Sequence, residues 1–564
     1  MPQIRTSHAT ALLAALLLAA CETSGVIGGA PADDVQPDPP LPPPPFQAAD
    51  SALLRLTQEQ YRNTVTDVFG EHVVVAGGLE NDNRVSHSYA VGAAFGGVSA
   101  RGTEQYEAMA VTVAAQVLST GPERDALMPC TPSGTTDATC ARAFLSEYGQ
   151  RLWRRALTEE ELGPLVAISG TAATTLNDFY DGLEFGMVGL LTSPNFIYRV
   201  ELGEPNPAAG SSEEEAALRF SSMEMASRLS YFLWNSTPDD TLLAAAEAGE
   251  LVDDAALEAQ VRRMVEDPRA REGVRAFFTE LFELDRLSKL VKDPEVFVHI
   301  DGDVGPSARE ETLLTLENNI FEEEGDYRQV FTTRTTFLNR KMASIYSVPT
   351  PTRDGFGPYT FPDDAPRAGI LTQASFLALH SHATATSATA RGKFIRVNIL
   401  CGEIPPPPAD VDTSIPEPSV TATTLRERLA EHRENPVCAS CHSVMDPIGL
   451  GFENFDALGR FRRLEAGAII DASSDLDGVP FADAVALGSL IANHPDVPLC
   501  LARNVYKYAT GHVPEEGEQI QIEELTEAFA ASGFRVKELL VAVALSEGFR
   551  TSRGQRVAVV MEVN

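Results

Sequence analysis

Residues Pro436–Arg462 read PVCASCHSVMDPIGLGFENFDALGRFR, and the pentad Cys438-Ala439-Ser440-Cys441-His442 inside them sets the expectation for the whole chain. Two thiols three residues apart lie one helical turn from each other, so each can add to one vinyl group of a haem. The imidazole that follows then faces the iron as an axial ligand. The pattern predicts a cytochrome c-like helical module carrying one covalent haem c on Cys438 and Cys441, with His442 as proximal ligand. Other chemistries fit parts of it. A thioredoxin-like dithiol follows a strand in a βαβ unit, and no such unit is visible. A zinc site calls for a second Cys/His pair at finger spacing, which is missing. A plain Cys438–Cys441 disulfide stays open but leaves His442 without a role.

The second axial ligand has to come from another segment, because it must reach the opposite face of the ring. Met445 is three residues from His442 on the same short helix, and Met561 is almost at the C-terminus. That leaves His382, His380, His494 and His512, or an open iron; an open iron permits peroxide or small-ligand chemistry, a filled one pure electron transfer. We expect His382 as the distal ligand. It opens a run of Thr, Ser and Ala to Ala390, small enough to lie over a flat porphyrin, and Arg391 follows. Arg391, Arg460 and Arg462 are candidates to pair with haem propionates, the alternative being plain exposed helix arginines.

The N-terminus reads as an export signal. Residues 1–20 contain Arg5 and a 12-residue, largely apolar run Ala9–Ala20 that is too short to span a bilayer. They end in Leu18-Ala19-Ala20-Cys21, which resembles a bacterial lipobox with Cys21 as the lipidated residue. Residues 21–49 follow as a Pro/Gly-rich tether that favours an extended spacer. The expected location is the cell envelope, lipid-anchored, on the periplasmic or outer-membrane and cell-surface side. The net charge of −36 repels phosphate backbones and gives no footprint for nucleic acid. Of seven cysteines, Cys130, Cys140, Cys401 and Cys500 remain once Cys21, Cys438 and Cys441 are assigned, an even number for an oxidising compartment.

Helix-start signals dominate the remainder. Thr57-x-x-Gln60, Thr158-x-x-Glu161 and Ser221-x-x-Glu224 match the capping box, with staple pairs Leu56/Tyr61, Leu157/Leu162 and Phe220/Met225. Thr237-Pro238 is expected to open a further helix that ends near Gly249. Helical periods run over Val261–Glu266 and Ala270–Leu284, broken at Pro268. One hairpin is expected between Ile469-Ile470 and Val479–Phe481, turning on Asp477-Gly478. Asp471, Asp475 and Asp477 do not have the spacing of a calcium loop. The fold class is mainly α: several small helical modules in tandem, one cytochrome c-like, with a short β-hairpin near the C-terminus. The modules are placed at 50–122, 125–205, 212–346, 364–465 for the haem module, and 466–564.

On these residues the chain resembles a family of large exported proteins of planctomycetes and myxobacteria, built of successive domains of unknown function, one of them cytochrome c-like. The resemblance rests on Leu56–Gly70, on Cys130 and Cys140 with Tyr148–Leu162, on Ala226–Leu251, on Arg367–Cys401 with Cys438–Arg462, and on Cys500–Gly511. Ser387-Ala388 stands where the family often has Ser-Pro, and Gly511-His512 where it has Gly-Arg. The resemblance strengthens the haem expectation and implies no reaction. Disulfides Cys130–Cys140 and Cys401–Cys500 are expected. The function expected is electron transfer or haem redox chemistry at the cell surface, with an unassigned redox partner protein or small molecule. The alternative is a non-enzymatic surface scaffold or glycan-associated module in which the C-x-x-C-H site is structural.

Overall fold

The three capping boxes form as their sequences predict. In the computed structural model, which describes residues 45–50, 53–82, 89, 97–206, 217–298, 301–405, 419 and 421–553, Thr57 opens α1 (Gln58–Phe69). Its hydroxyl accepts from the Gln60 N–H, and the Gln60 side chain accepts from the Thr57 N–H. Thr158 with Glu161 opens α2 (Glu159–Leu176), and Ser221 with Glu224 opens α3 (Ser222–Leu233). Reciprocal capping satisfies N–H groups that have no partner inside a helix. Helices Asp254–Glu266 and Ala270–Leu281 flank Pro268 as expected. The segment after Pro238 starts later than read from sequence. Asp239 caps Asp240–Glu247 by accepting from the Leu242 N–H, while the Thr237 hydroxyl donates to the Arg151 carbonyl. A carboxylate at the cap outcompetes a hydroxyl already spent on another element.

The protein is mainly α, with short antiparallel strand pairs as fasteners. Leu54–Arg55 pairs with Tyr198–Arg199. Ala217–Arg219 lies between Glu204–Pro205 and Thr551–Arg553. The expected hairpin forms on Asp477-Gly478, both with positive φ, but its first arm is Ser474–Leu476. Ile469 belongs instead to a separate ladder, Ala468–Ile469 on Leu464–Glu465, turning on Ala466-Gly467. Both turns put two residues in the left-handed region, the geometry of a tight two-residue hairpin.

Two apolar cores hold the chain. One runs from Leu56 to Ile197 and takes in Tyr231 of α3; the other runs from Phe220 to Phe549. Buried arginines join them. Arg154 donates to the carbonyls of Asn195 and Tyr198, each at 2.7 Å, and Arg228 pairs with Glu201 while donating to the Phe549 carbonyl at 2.9 Å. Cys130 is bonded to Cys140 and Cys401 to Cys500, the pairing expected. Residues 1–20, Cys21 and the tether up to residue 44 lie outside the described residues, as does Met561. Among the described residues no helix is long and apolar enough to cross a membrane.

The motif helix is seated by a backbone-on-backbone crossing. Helix α4 (Ala388–Phe394) is followed by α5 (Leu425–His432) and by α6 (Pro436–Leu450), which carries Cys438, Cys441 and His442. A Cβ on Gly392 would meet the Met445 carbonyl oxygen at 1.8 Å, and one on Gly449 would meet the Ala388 carbonyl oxygen at 1.7 Å. Within the Thr, Ser and Ala-rich run, Ala388 is the residue whose backbone packs against Gly449 of α6. Gly449→Ala should lower unfolding stability by at least about 2 kcal/mol through overpacking, read as a shift in the denaturation midpoint.

Candidate functional site

Helix α6 starts with Asn435 accepting from the Val437 N–H and with Pro436 at the first helical position, where no N–H is needed. Cys438 and Cys441 therefore sit on adjacent turns with His442 beside them. Both thiols are free and half-buried, and Cys441 Sγ lies 3.4 Å from the Pro405 carbonyl oxygen. The two are not joined as the simple disulfide that the sequence left open. Below them Leu425, Leu429, Ala388 and Leu450 form a small apolar cluster of their own. Helix α5 opens on a capping box of Thr424 and Glu427 that the sequence reading had passed over.

His442 Nδ1 lies 3.1 and 3.0 Å from the two carboxyl oxygens of Asp446, one turn further along. The Asp446 side chain is fully buried and also accepts from Thr389 Oγ1 at 2.8 Å. With Asp446 as the carboxylate and His442 as a neutral imidazole, this contact takes an Nδ1–H and leaves the lone pair on Nε2. The His432 ring packs edge-on against His442 with centroids 4.5 Å apart. Two free thiols one turn apart, followed by an imidazole whose outer nitrogen is a lone-pair donor, make a donor set that fits a thioether-bound haem. Among the described residues no group of three His, Cys, Asp or Glu side chains is arranged to hold a bare metal ion.

The structure does not bring His382 to this group. His382 is exposed, in a turn closed by its N–H on the Ala385 carbonyl, and its own carbonyl accepts from Lys292. Thr386, at the end of that turn, donates to Glu453, just past the C-terminus of α6. From His442 to Leu450 the helix rises about 12 Å, so the turn is anchored at the opposite end. The other histidines have other surroundings: His494 is 3.4 Å from Asp477, and His512 Nε2 is 2.9 Å from buried Glu518. Met445 is buried on α6 itself.

Arg391 and Arg462 are bonded within the protein. Arg391 has no solvent exposure and donates to the carbonyls of Phe452, Phe455, Asp456 and Leu377 and to Ser381 Oγ, at 2.9 to 3.1 Å. With both terminal nitrogens bonded to protein acceptors and no solvent exposure, this guanidinium is a structural tie. Arg462 donates to the Glu453 carboxylate at 2.8 Å and to its carbonyl at 3.0 Å. Arg460, whose N–H is held by Asp456 at 2.8 Å, belongs to the same turn. Phe452, Glu453 and Asp456, which hold the Arg391 and Arg462 side chains, lie past the end of α6 remote from His442. What sequence reasoning missed was Asp446, although its i, i+4 spacing from His442 is legible, and His432, which only the packing of α5 on α6 reveals.

Five family models match the chain in succession, each described as a protein of unknown function: DUF1587 over residues 55–119, DUF1595 over 140–201, DUF1592 over 220–348, DUF1588 over 367–465 and DUF1585 over 477–549. The chain is thus a tandem of domains of unknown function, and the C-x-x-C-H helix lies in the fourth. No curated protein and no solved structure matches it.

Strongly perturbed groups elsewhere are structural. Burial pulls His380 down to about 3, and it lines a cavity of about 10 Å³ with Phe282, Phe376 and Phe394, room for a single water at most. Glu311 is fully buried, accepting from Tyr346 Oη at 2.5 Å and from Thr336 Oγ1 at 2.7 Å. Burial raises its carboxyl to about 7 despite those two donors. An acid held protonated by folding loses stability as pH rises from its ordinary 4.5, where the unfolded chain ionises, to about 7, where the folded one does. Unfolding stability should fall across that window by up to about 3 kcal/mol, and Glu311→Gln should flatten the slope in a pH series of denaturation curves.

Proposed function

We propose that this chain is an envelope lipoprotein, anchored through Cys21, that carries one covalent haem c and moves electrons at the cell surface. The observation that carries this reading is the pentad itself, with its thiols unpaired and with His442 Nε2 left as a donor by the Nδ1 contact to Asp446. Cys438 and Cys441 supply the two thioether bonds and His442 the proximal ligand. Thr389 and Asp446 fix the plane and the tautomer of that imidazole from behind. When bound, the haem exchanges single electrons with a redox partner protein or a small molecule. The acidic surface, −36 over the chain, favours a partner that presents a basic face.

Expressed with a haem-maturation system, the protein should keep its Soret absorption through acid-acetone extraction and give a pyridine haemochrome of the two-thioether type. Cys438→Ala should shift that haemochrome to a single thioether or abolish attachment. Colour that extracts fully, or attachment indifferent to Cys438, would remove the haem and leave a surface scaffold in which the motif is structural. Separately, Cys21→Ser should release the protein from the membrane fraction; unchanged fractionation would count against the anchor.

A further inference from the structure

We infer that Asp446 is a positioning residue that makes His442 an unusually strong donor to its metal, holding the centre at low potential. This rests on the haem reading above and adds a regulating residue to it. A proximal imidazole whose Nδ1–H bonds to a carboxylate gains imidazolate character, and a more basic ligand stabilises the oxidised metal. A carboxylate is also a stronger acceptor than the backbone carbonyl or water that could fill the same place.

The surroundings of Asp446 make the effect large. Its side chain has no exposure, so solvent does not screen it. Its polar partners among the described residues are His442 Nδ1 and Thr389 Oγ1, and no Lys or Arg pairs with it. The carboxyl charge therefore leans on the imidazole, moderated by one hydroxyl. The helix crossing at Gly392 and Gly449 delivers that hydroxyl, because it holds Thr389 of α4 against Asp446 of α6. A centre tuned this way is suited to giving electrons up, and its partner is an oxidant of higher potential.

The two neighbours of the carboxyl make opposite demands, and that supplies the test. Asp446→Asn weakens the acceptor and should raise the haem midpoint potential in a spectroelectrochemical titration. Thr389→Val removes the competing donor, leaves Asp446 more fully on His442, and should lower it. Both proteins should retain the two-thioether haemochrome and the far-ultraviolet dichroism of the parent. Potentials that do not move, or that move in the same direction, would overturn the assignment. Should Asp446→Asn fail to fold, Thr389→Val alone decides, since a purely structural hydroxyl would leave the potential where it was. If the parent protein takes up no covalent haem, the haem reading falls first and the role of Asp446 with it. If haem attaches in all three and the potentials coincide, only the role of Asp446 falls.

Discussion

Two helices touching through their backbones govern the chemistry-bearing half of this protein. Ala388 and Gly392 on α4 leave no side chain between them and the Met445–Gly449 turn of α6. That approach brings Thr389 to Asp446 and seats α6 so that its N-terminal turns present Cys438, Cys441 and His442. Arg391, from the same short helix, reaches past the crossing and ties down the Phe452–Asp456 turn by its carbonyls. A guanidinium is the side chain for this task, because its donors are several, fixed in direction and never lost to deprotonation at physiological pH. Burial lowers its affinity for the proton only to about 10.

Around that crossing the domains are held by shared interiors rather than by linkers. The Phe220–Phe549 core takes side chains from the third, fourth and fifth matched segments together, and the Leu56–Ile197 core from the first and second. Arg154, Arg199 and Arg228 cross between the cores as buried cations. Arg154 donates to carbonyls, and Arg199 and Arg228 share Glu201, since a desolvated charge without partners would be costly. The motif helix therefore belongs to a segment whose interior is shared with its neighbours, through Ile448 and Phe452.

Local chemistry was legible in the sequence and long-range chemistry was not. The capping boxes at Thr57, Thr158 and Ser221 are satisfied within four residues, so their pattern is enough to place a helix start. The Asp477-Gly478 turn was readable for the same reason, while Ile469 was misassigned because Ala466-Gly467 is a weaker turn signal than the one beside it. The propionate assignment of Arg391 failed because the acceptors that bury it come from some sixty residues away. His382 was chosen for its small neighbours. One of them, Ala388, lies at the helix crossing, a constraint set by Gly449 on a distant segment. Asp446 stood in plain sight at helical spacing, hidden inside a motif read for its sulfurs.

The disulfide between Cys401 and Cys500 has a meaning beyond holding two segments together. On the proposed haem reading, attachment would need Cys438 and Cys441 reduced in an envelope whose chemistry oxidises thiols. Cys401 is four residues from Pro405, whose carbonyl touches Cys441 Sγ, so at full extension it would be within about 14 Å of the motif. Left reduced, it would be a further thiol, besides Cys438 one turn away, within reach of Cys441. Cys401 is instead committed to Cys500 on helix Asp496–Thr510. The bond that ties the fourth segment to the fifth thus leaves Cys438 and Cys441 as the free thiols among the described residues.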